Sequence, residues 1–387
     1  MKKVLSLFLA LVLMLSLFAC AKNETPAPAQ SGETEKTEEP AAQEPQASEE
    51  KTEATPAEEP AAESTEAVDP ASTFDRTLDD YTPKKTSYKI YFNYKNIHVW
   101  YDAIELGIQE AVKQYADKGI TVEYEWIGSA DPDAADQVTR VEEAVGRNFD
   151  VICVEPANLD LIAPSVTNLV NSGVKVMCFG ASDLFGYEES SGRYAYVGAG
   201  DPSVDAIPSA EAFCEAIGYK GKVALLGGTI GAPGHEMTNQ AFLNTIAKYP
   251  DIELVDTQYD NDELDKAISF TENFLQKTPD LAGIYCNNMT NPIGAAQAVT
   301  AAGKAGEIVI VGMDHDIQAL EYLRDGTIYA LAILDCFGVG FDALQTAIKI
   351  ADDCTPGVDY EKEIYYHLNT VYQNSAEAYI KALYPNY

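Results

Sequence analysis

The chain is 387 residues long and 46% hydrophobic, with 61 acidic against 26 basic side chains and a formal net charge of −35. That length builds one or two domains with cores of their own. The charge argues against a nucleic-acid binder, which must neutralise phosphates with a basic surface, and disfavours a polyanionic ligand.

Lys2 and Lys3 precede an apolar run from Val4 to Phe18 that is broken only by Ser6 and Ser16. Such a positive start followed by a short apolar stretch is a secretory signal. The run ends in Ala19-Cys20, which resembles a bacterial lipobox, so residues 1–20 are read as a lipoprotein signal peptide with Cys20 the acylated first residue of the mature chain. An ordinary signal peptide cut near Ala19 is the alternative. No second apolar span of the roughly 20 residues a bilayer requires follows. The expected location is the extracellular face of the bacterial cell membrane, with the lipid as the only membrane contact.

Residues 21–83 are read as a disordered acidic stalk rich in Pro, Glu, Ala and Thr. Residues 21–70 alone hold 14 acidic and 3 basic side chains, and the segment has too little apolar surface to offset the entropy of ordering. Sixty such residues span about 40–45 Å, and more once like charges and prolines stretch them. The six cysteines beyond Cys20 show no paired spacing, and Cys153 and Cys178 sit in apolar runs, so buried thiols are expected rather than a disulfide framework or a metal site.

From Ser87 on, strands and helices alternate. Tyr88–Phe92 is a predicted strand, Trp100–Gln114 a helix, Thr121–Trp126 a strand and Asp136–Gly146 a helix. Asp150–Val154 is a strand, Leu161–Ser172 a helix closed by Gly173, and Val174–Phe179 a strand. The pattern restarts with a helix over Pro208–Gly218, then strands at Lys222–Leu226, Ile252–Asp256, Gly283–Cys286, Ile308–Gly312 and Ile328–Leu334. Helices at His235–Lys248, Leu264–Lys277, Pro292–Ala302 and Ile317–Asp325 lie between them. Short apolar strands between amphipathic helices indicate parallel sheets covered on both faces. The fold class is α/β, and two such sets exceed one doubly wound sheet, so two similar lobes are expected.

An ordered series of segments resembles a known family. It runs from Trp100-Tyr101 with Gly107, through Val151–Pro156, Val174–Gly180 and Gly221–Gly228, to Ile284–Asn288 and Val309–Asp314. Together they resemble the type I periplasmic binding proteins, in particular the ribose- and galactose-binding receptors of ABC transporters. The resemblance implies two doubly wound parallel-sheet lobes joined by a three-crossover hinge. The lobes would be 84–199 plus 338–365 and 200–337 plus 366–387, with crossings near 199–201, 335–338 and 364–368.

In such sheets the loops at the strand C-termini line the ligand crevice. After the first strand stand His98, Trp100 and Tyr101, and flat aromatic faces pack on the C–H faces of a sugar ring while polar neighbours reach its hydroxyls. The alternative for Trp100 and Tyr101 is the first core turn of the helix. In the family, aromatic residues here sandwich the sugar, and that role falls on Trp100 and Tyr101 with His98 beside them. Asn288 and Asp314 match the family's hydrogen-bonding Asn and Asp, against a plainer role in capping and loop solvation. Asp335 is a weaker contact or hinge candidate.

Two departures stand out. Gly180-Ala181 occupies the place of the family's Asp-Arg pair after the fourth strand, and His235, Glu236, Thr238 and Asn239 stand where a ligand-contacting arginine is expected. Both point away from standard aldoses. The glycines of Gly227–Gly234 lack the Gly-Lys-Ser/Thr of a phosphate cradle.

A metal receptor using Asp314-His315-Asp316 and His235 is a minor reading, as is a hydrolase, since no Gly-x-Ser-x-Gly elbow or nucleophile–base set is present. The expected protein is a non-enzymatic, cofactor-free, monomeric solute-binding lipoprotein. It captures a small neutral polyhydroxylated ligand, a sugar or polyol, and delivers it to an ABC permease. A nucleoside, an autoinducer-like furanosyl compound or an amino acid is the alternative cargo.

Overall fold

The structure is a computed structural model that describes residues 75–129, 134–384 and 387. The signal peptide, Cys20 and the stalk up to residue 74 lie outside the described residues. Strand β1 (Ser87–Tyr94) pairs in parallel with β2 (Thr121–Gly128) on one side and β3 (Val151–Val154) on the other. Beyond β3 come β4 (Val176–Gly180), β5 (Tyr196–Ala199) and, from far along the chain, β11 (Glu363–Tyr366), giving an all-parallel sheet ordered β11-β5-β4-β3-β1-β2.

Alternation along β1 sorts its side chains to two faces, as the period of two requires. Tyr88, Ile90 and Phe92 pack on helices α1 (Trp100–Asp117) and α10 (Cys336–Ala351), while Tyr91 packs on α2 (Ala134–Val145) and α3 (Leu159–Asn171). Helices α1 and α10 cross closely because both carry a glycine at the contact. A Cβ on Gly107 would lie 1.9 Å from the Phe337 carbonyl oxygen, and one on Gly340 1.9 Å from that of Ile104.

The second sheet is ordered β12-β10-β9-β8-β6-β7, built from β6 (Gly221–Leu226), β7 (Ile252–Gln258), β8 (Leu281–Cys286), β9 (Val309–Met313), β10 (Ala330–Ile333) and β12 (Asn369–Tyr372). Its strands run parallel except the edge strand β12, which pairs antiparallel with β10. One face holds α7 (Leu264–Lys277), α8 (Asn291–Ala301), α9 (Ile317–Asp325) and α11 (Gln373–Leu383), and the other holds α5 (Ile207–Ala216) and α6 (Pro233–Ile246). The chain passes between the sheets over residues 199–207, which include the short helix α4 (Pro202–Asp205), then between β10 and α10, and between β11 and β12.

Residues 75–83, read from sequence as the end of the stalk, are seated on the first lobe. Leu78 and Tyr81 pack against its core, and the Tyr81 hydroxyl and Lys84 N–H donate to Asp352 at 2.9 and 2.7 Å. Arg76 reaches the hinge, where its guanidinium bridges Asp335 at 2.6 Å and Asp342 at 3.3 Å and lies over the Tyr366 ring. The low complexity of the stalk had masked these anchoring side chains. Cys153, Cys178, Cys214, Cys286, Cys336 and Cys354 are all buried and free.

Candidate ligand-binding cleft

A cavity of about 240 Å³ lies where the strand C-termini of both sheets face each other. Its back wall comes from the hinge, with Ala199 and Gly200 from the first crossing, Leu334 from the second and Leu368 from the third. Met289 and Met313 add further apolar surface.

The first lobe contributes the loop after β1 and the start of α1. The Trp100 N–H donates to His98 Nδ1 at 3.2 Å, which caps the helix and leaves the proton of the neutral imidazole on Nε2. Burial lowers the His98 pKa, so the ring stays neutral near pH 7. Tyr101 lies edge-on to Trp100 with ring centroids 5.1 Å apart and is 3% exposed, and burial, with the buried Glu155 beside it, raises its pKa. Lys95, which sequence reasoning passed over, also lines the cavity.

The second lobe answers with four loops. Thr229 N–H donates to His235 Nδ1 at 2.8 Å, so this imidazole too presents Nε2–H, and burial lowers its pKa. Gly228, at φ +70°, lets this happen: a Cβ there would stand 2.6 Å from Asn287 Oδ1 and 2.7 Å from His235 Nδ1. Asn288 faces the cavity, but its amide serves the surrounding loops. Its Nδ2 donates to Asp260 at 3.1 Å and to Asp262, while its Oδ1 accepts from the Thr290 and Asn291 N–H groups at 2.9 and 2.7 Å. Asn288 therefore caps α8 and holds Asp262 in the cleft. Its neighbour Asn287 is 2% exposed, and its Oδ1 has no protein partner.

Asp314 closes the arrangement. It adopts φ +69°, a left-handed conformation that Asp tolerates better than most residues. Its Oδ1 accepts the Trp100 indole N–H at 2.9 Å, a bond between the two lobes. Burial, helped by the charge of Asp262, pushes its pKa up to about 7 against the pull of Trp100 and Lys95.

His98, Trp100, Tyr101, His235, Asn288 and Asp314 thus line one cavity. Asp335 does not. Its Oδ1 accepts the Gly338 N–H at 2.7 Å, capping α10, and its Oδ2 pairs with Arg76. Lys95, Asn96, Asp205, Thr238, Asp262 and Asn287 complete the polar lining. Asp262 was missed because β7 runs two residues beyond the expected strand, to Gln258, and carries the following loop to the cleft. Asp183, near the place of the family's Asp-Arg pair, forms a buried ion pair with Arg193. Among the described residues, no group of three or more His, Cys, Asp or Glu side chains could hold a metal ion, and no helix is long and apolar enough to cross a membrane.

Two doubly wound lobes around a single mixed polar and apolar cleft define a clamp for a small solute. The periplasmic binding protein domain family matches residues 90–353, and the chain belongs to that family. It is 24% identical over 278 residues to the xylitol-binding protein of Mycolicibacterium smegmatis, spanning 70% of this chain and 75% of that one. It is 25% identical over 253 residues to the D-allose-binding periplasmic protein of Escherichia coli, spanning 64% and 79%. Among solved structures, an ABC transporter periplasmic solute binding protein from Actinobacillus succinogenes with bound D-allose superposes with a TM-score of 0.66. That pair is 25% identical, and the match covers 75% of this chain and 99% of the other.

Proposed function

We propose that this protein is the sugar- or polyol-binding receptor of an ABC importer, holding its cargo in the interlobe cleft and passing it unaltered to the permease. The observation that carries the reading is the convergence of both lobes on one cavity, with Trp100 and Asp314 meeting across it at 2.9 Å. Family membership and the relatives named for xylitol and D-allose support it. Trp100 supplies the flat face, the His98 and His235 Nε2–H groups donate to hydroxyls, and Asp314, Asp262 and Asn287 Oδ1 accept from them. Ligand contacts on both lobes favour closure by hinge rotation.

The receptor acts as a monomer on the outer face of the membrane, tethered through acylated Cys20. Replacing Cys20 with Ala releases the protein into the medium; retention on the membrane fraction overturns the anchor. Calorimetric titration with pentoses, hexoses, linear polyols and cyclitols, beside nucleosides and amino acids, tests the cargo. Binding confined to the last two classes overturns the proposal.

A further inference from the structure

We infer that the cargo carries a basic nitrogen among its hydroxyls, as an amino sugar or amino-substituted polyol does. This rests on the reading of the chain as a sugar or polyol receptor and goes one step past it. Asp205, Asp262 and Asp314 stand against Lys95, and no arginine reaches the lining. The charge of Lys95 also acts on Glu155, the buried side chain behind Tyr101. Asp205 has the His367 ring nitrogen at 2.7 Å, an ion pair only when that ring is protonated. Asp314 accepts the indole N–H and has no ion-pair partner among the described residues, while Asp262 is exposed.

A hydroxyl can hydrogen-bond an ionised carboxylate but cannot cancel its charge, and a closed cleft removes the water that would otherwise do so. An ammonium group does both. The acceptors fit such a donor. Asp314 spends Oδ1 on the indole N–H, leaving Oδ2 for the cleft, and the buried Asn287 Oδ1 has no protein partner. Trp100, bonded to Asp314 and lining the same cavity, offers the aromatic type with the strongest attraction for a cation. The raised pKa of Asp314 comes first from its burial, with the charge of Lys95 only a partial counterweight, so an added cation stabilises its ionised form. A chain of net charge −35 also gathers cations around its cleft.

The test is calorimetric titration of the full folded protein with matched pairs at pH 7.0. Each hexose is compared with its 2-amino-2-deoxy derivative and the corresponding N-acetyl derivative, and each cyclitol with its monoamine. For one pair the amine binds at least tenfold more tightly than its parent, and N-acetylation, which keeps the nitrogen but removes the charge, abolishes that advantage. In Asp314→Asn the ratio of amine to parent affinity falls below about threefold. Parents binding as tightly as their amines overturn the inference and leave the receptor reading standing. Silence from every parent and every amine sinks both.

Discussion

At Asp314 the burial that makes the site also makes it pH-sensitive. Its folded pKa of about 7 lies above the ordinary carboxylate value of about 4, so between those values the folded protein holds more protons than the unfolded chain. Stability from this group therefore falls as pH rises through that window. His315 works in the opposite sense: it is 2% exposed, its Nδ1 has no partner, and burial brings its pKa down to about 4. Stability from His315 is lost as pH falls from about 6.5 to 4. The isosteric Asp314→Asn removes only the first effect. Its melting temperature rises relative to the parent from pH 4 to 7 and the gain then levels, whereas a constant offset over that range would contradict the assignment. Trp100 offers an optical readout. The chain has two tryptophans, and Trp126 stacks on Tyr94 within the first lobe with centroids 4.6 Å apart. Ligand-induced change in tryptophan emission therefore comes from Trp100. Trp100→Phe abolishes it and weakens binding about tenfold, or ~1.4 kcal/mol; an undiminished emission change in that variant places the indole outside the site. At this scale Trp100, Tyr101 and Asp314 were legible because they follow predicted strands, whereas Asp335 follows one too and caps α10 instead. The work of Asn288 was not, since an Asn that caps a helix and one that grips a sugar look alike in sequence.

The elements most visible in sequence were those with a single apolar stripe, and α7 and α9 begin and end where the periodicity placed them. Helix α10 was not foreseen. Fourteen of its sixteen residues are buried, so it has no polar face to set a period, and Gly338 and Gly340 read as turn signals. Those same glycines report the packing that hides the helix. The crossing of α1 and α10 leaves no room for a methyl at Gly107 or Gly340, because the opposing atoms are backbone carbonyls rather than movable side chains. Gly340→Ala costs about 1–3 kcal/mol by overpacking, read as a lower urea midpoint at unchanged slope. A midpoint equal to the parent's would mean the helices part at no cost. Strands β5, β11 and β12 went unread for a different reason: each is four residues long and lacks the continuous aliphatic run that revealed the equally short β3 and β10.

Across the whole molecule, the three crossings form both the back of the cleft and the axis on which the lobes turn. Arg76 ties the second crossing to the third through Asp335, Asp342 and the Tyr366 ring. Its side chain is 26% exposed and that of Asp335 10%, so the pair lies between a surface bridge and a buried one. Arg76→Ala leaves Asp335 without its cation and lowers stability by about 1–3 kcal/mol. Hydrogen exchange in this variant quickens at the Asp335–Gly338 turn while β8 stays protected; uniform exchange through both would show that the arginine does not act on the hinge. The two-lobe plan was legible from the repeated alternation, but this tie was not, because it joins positions more than 250 residues apart. The described chain thus passes the pivot at Arg76 before Leu78 and Tyr81 seat it on the first lobe, so its entry is fixed to one jaw and to the axle, and the second jaw is the one left to swing.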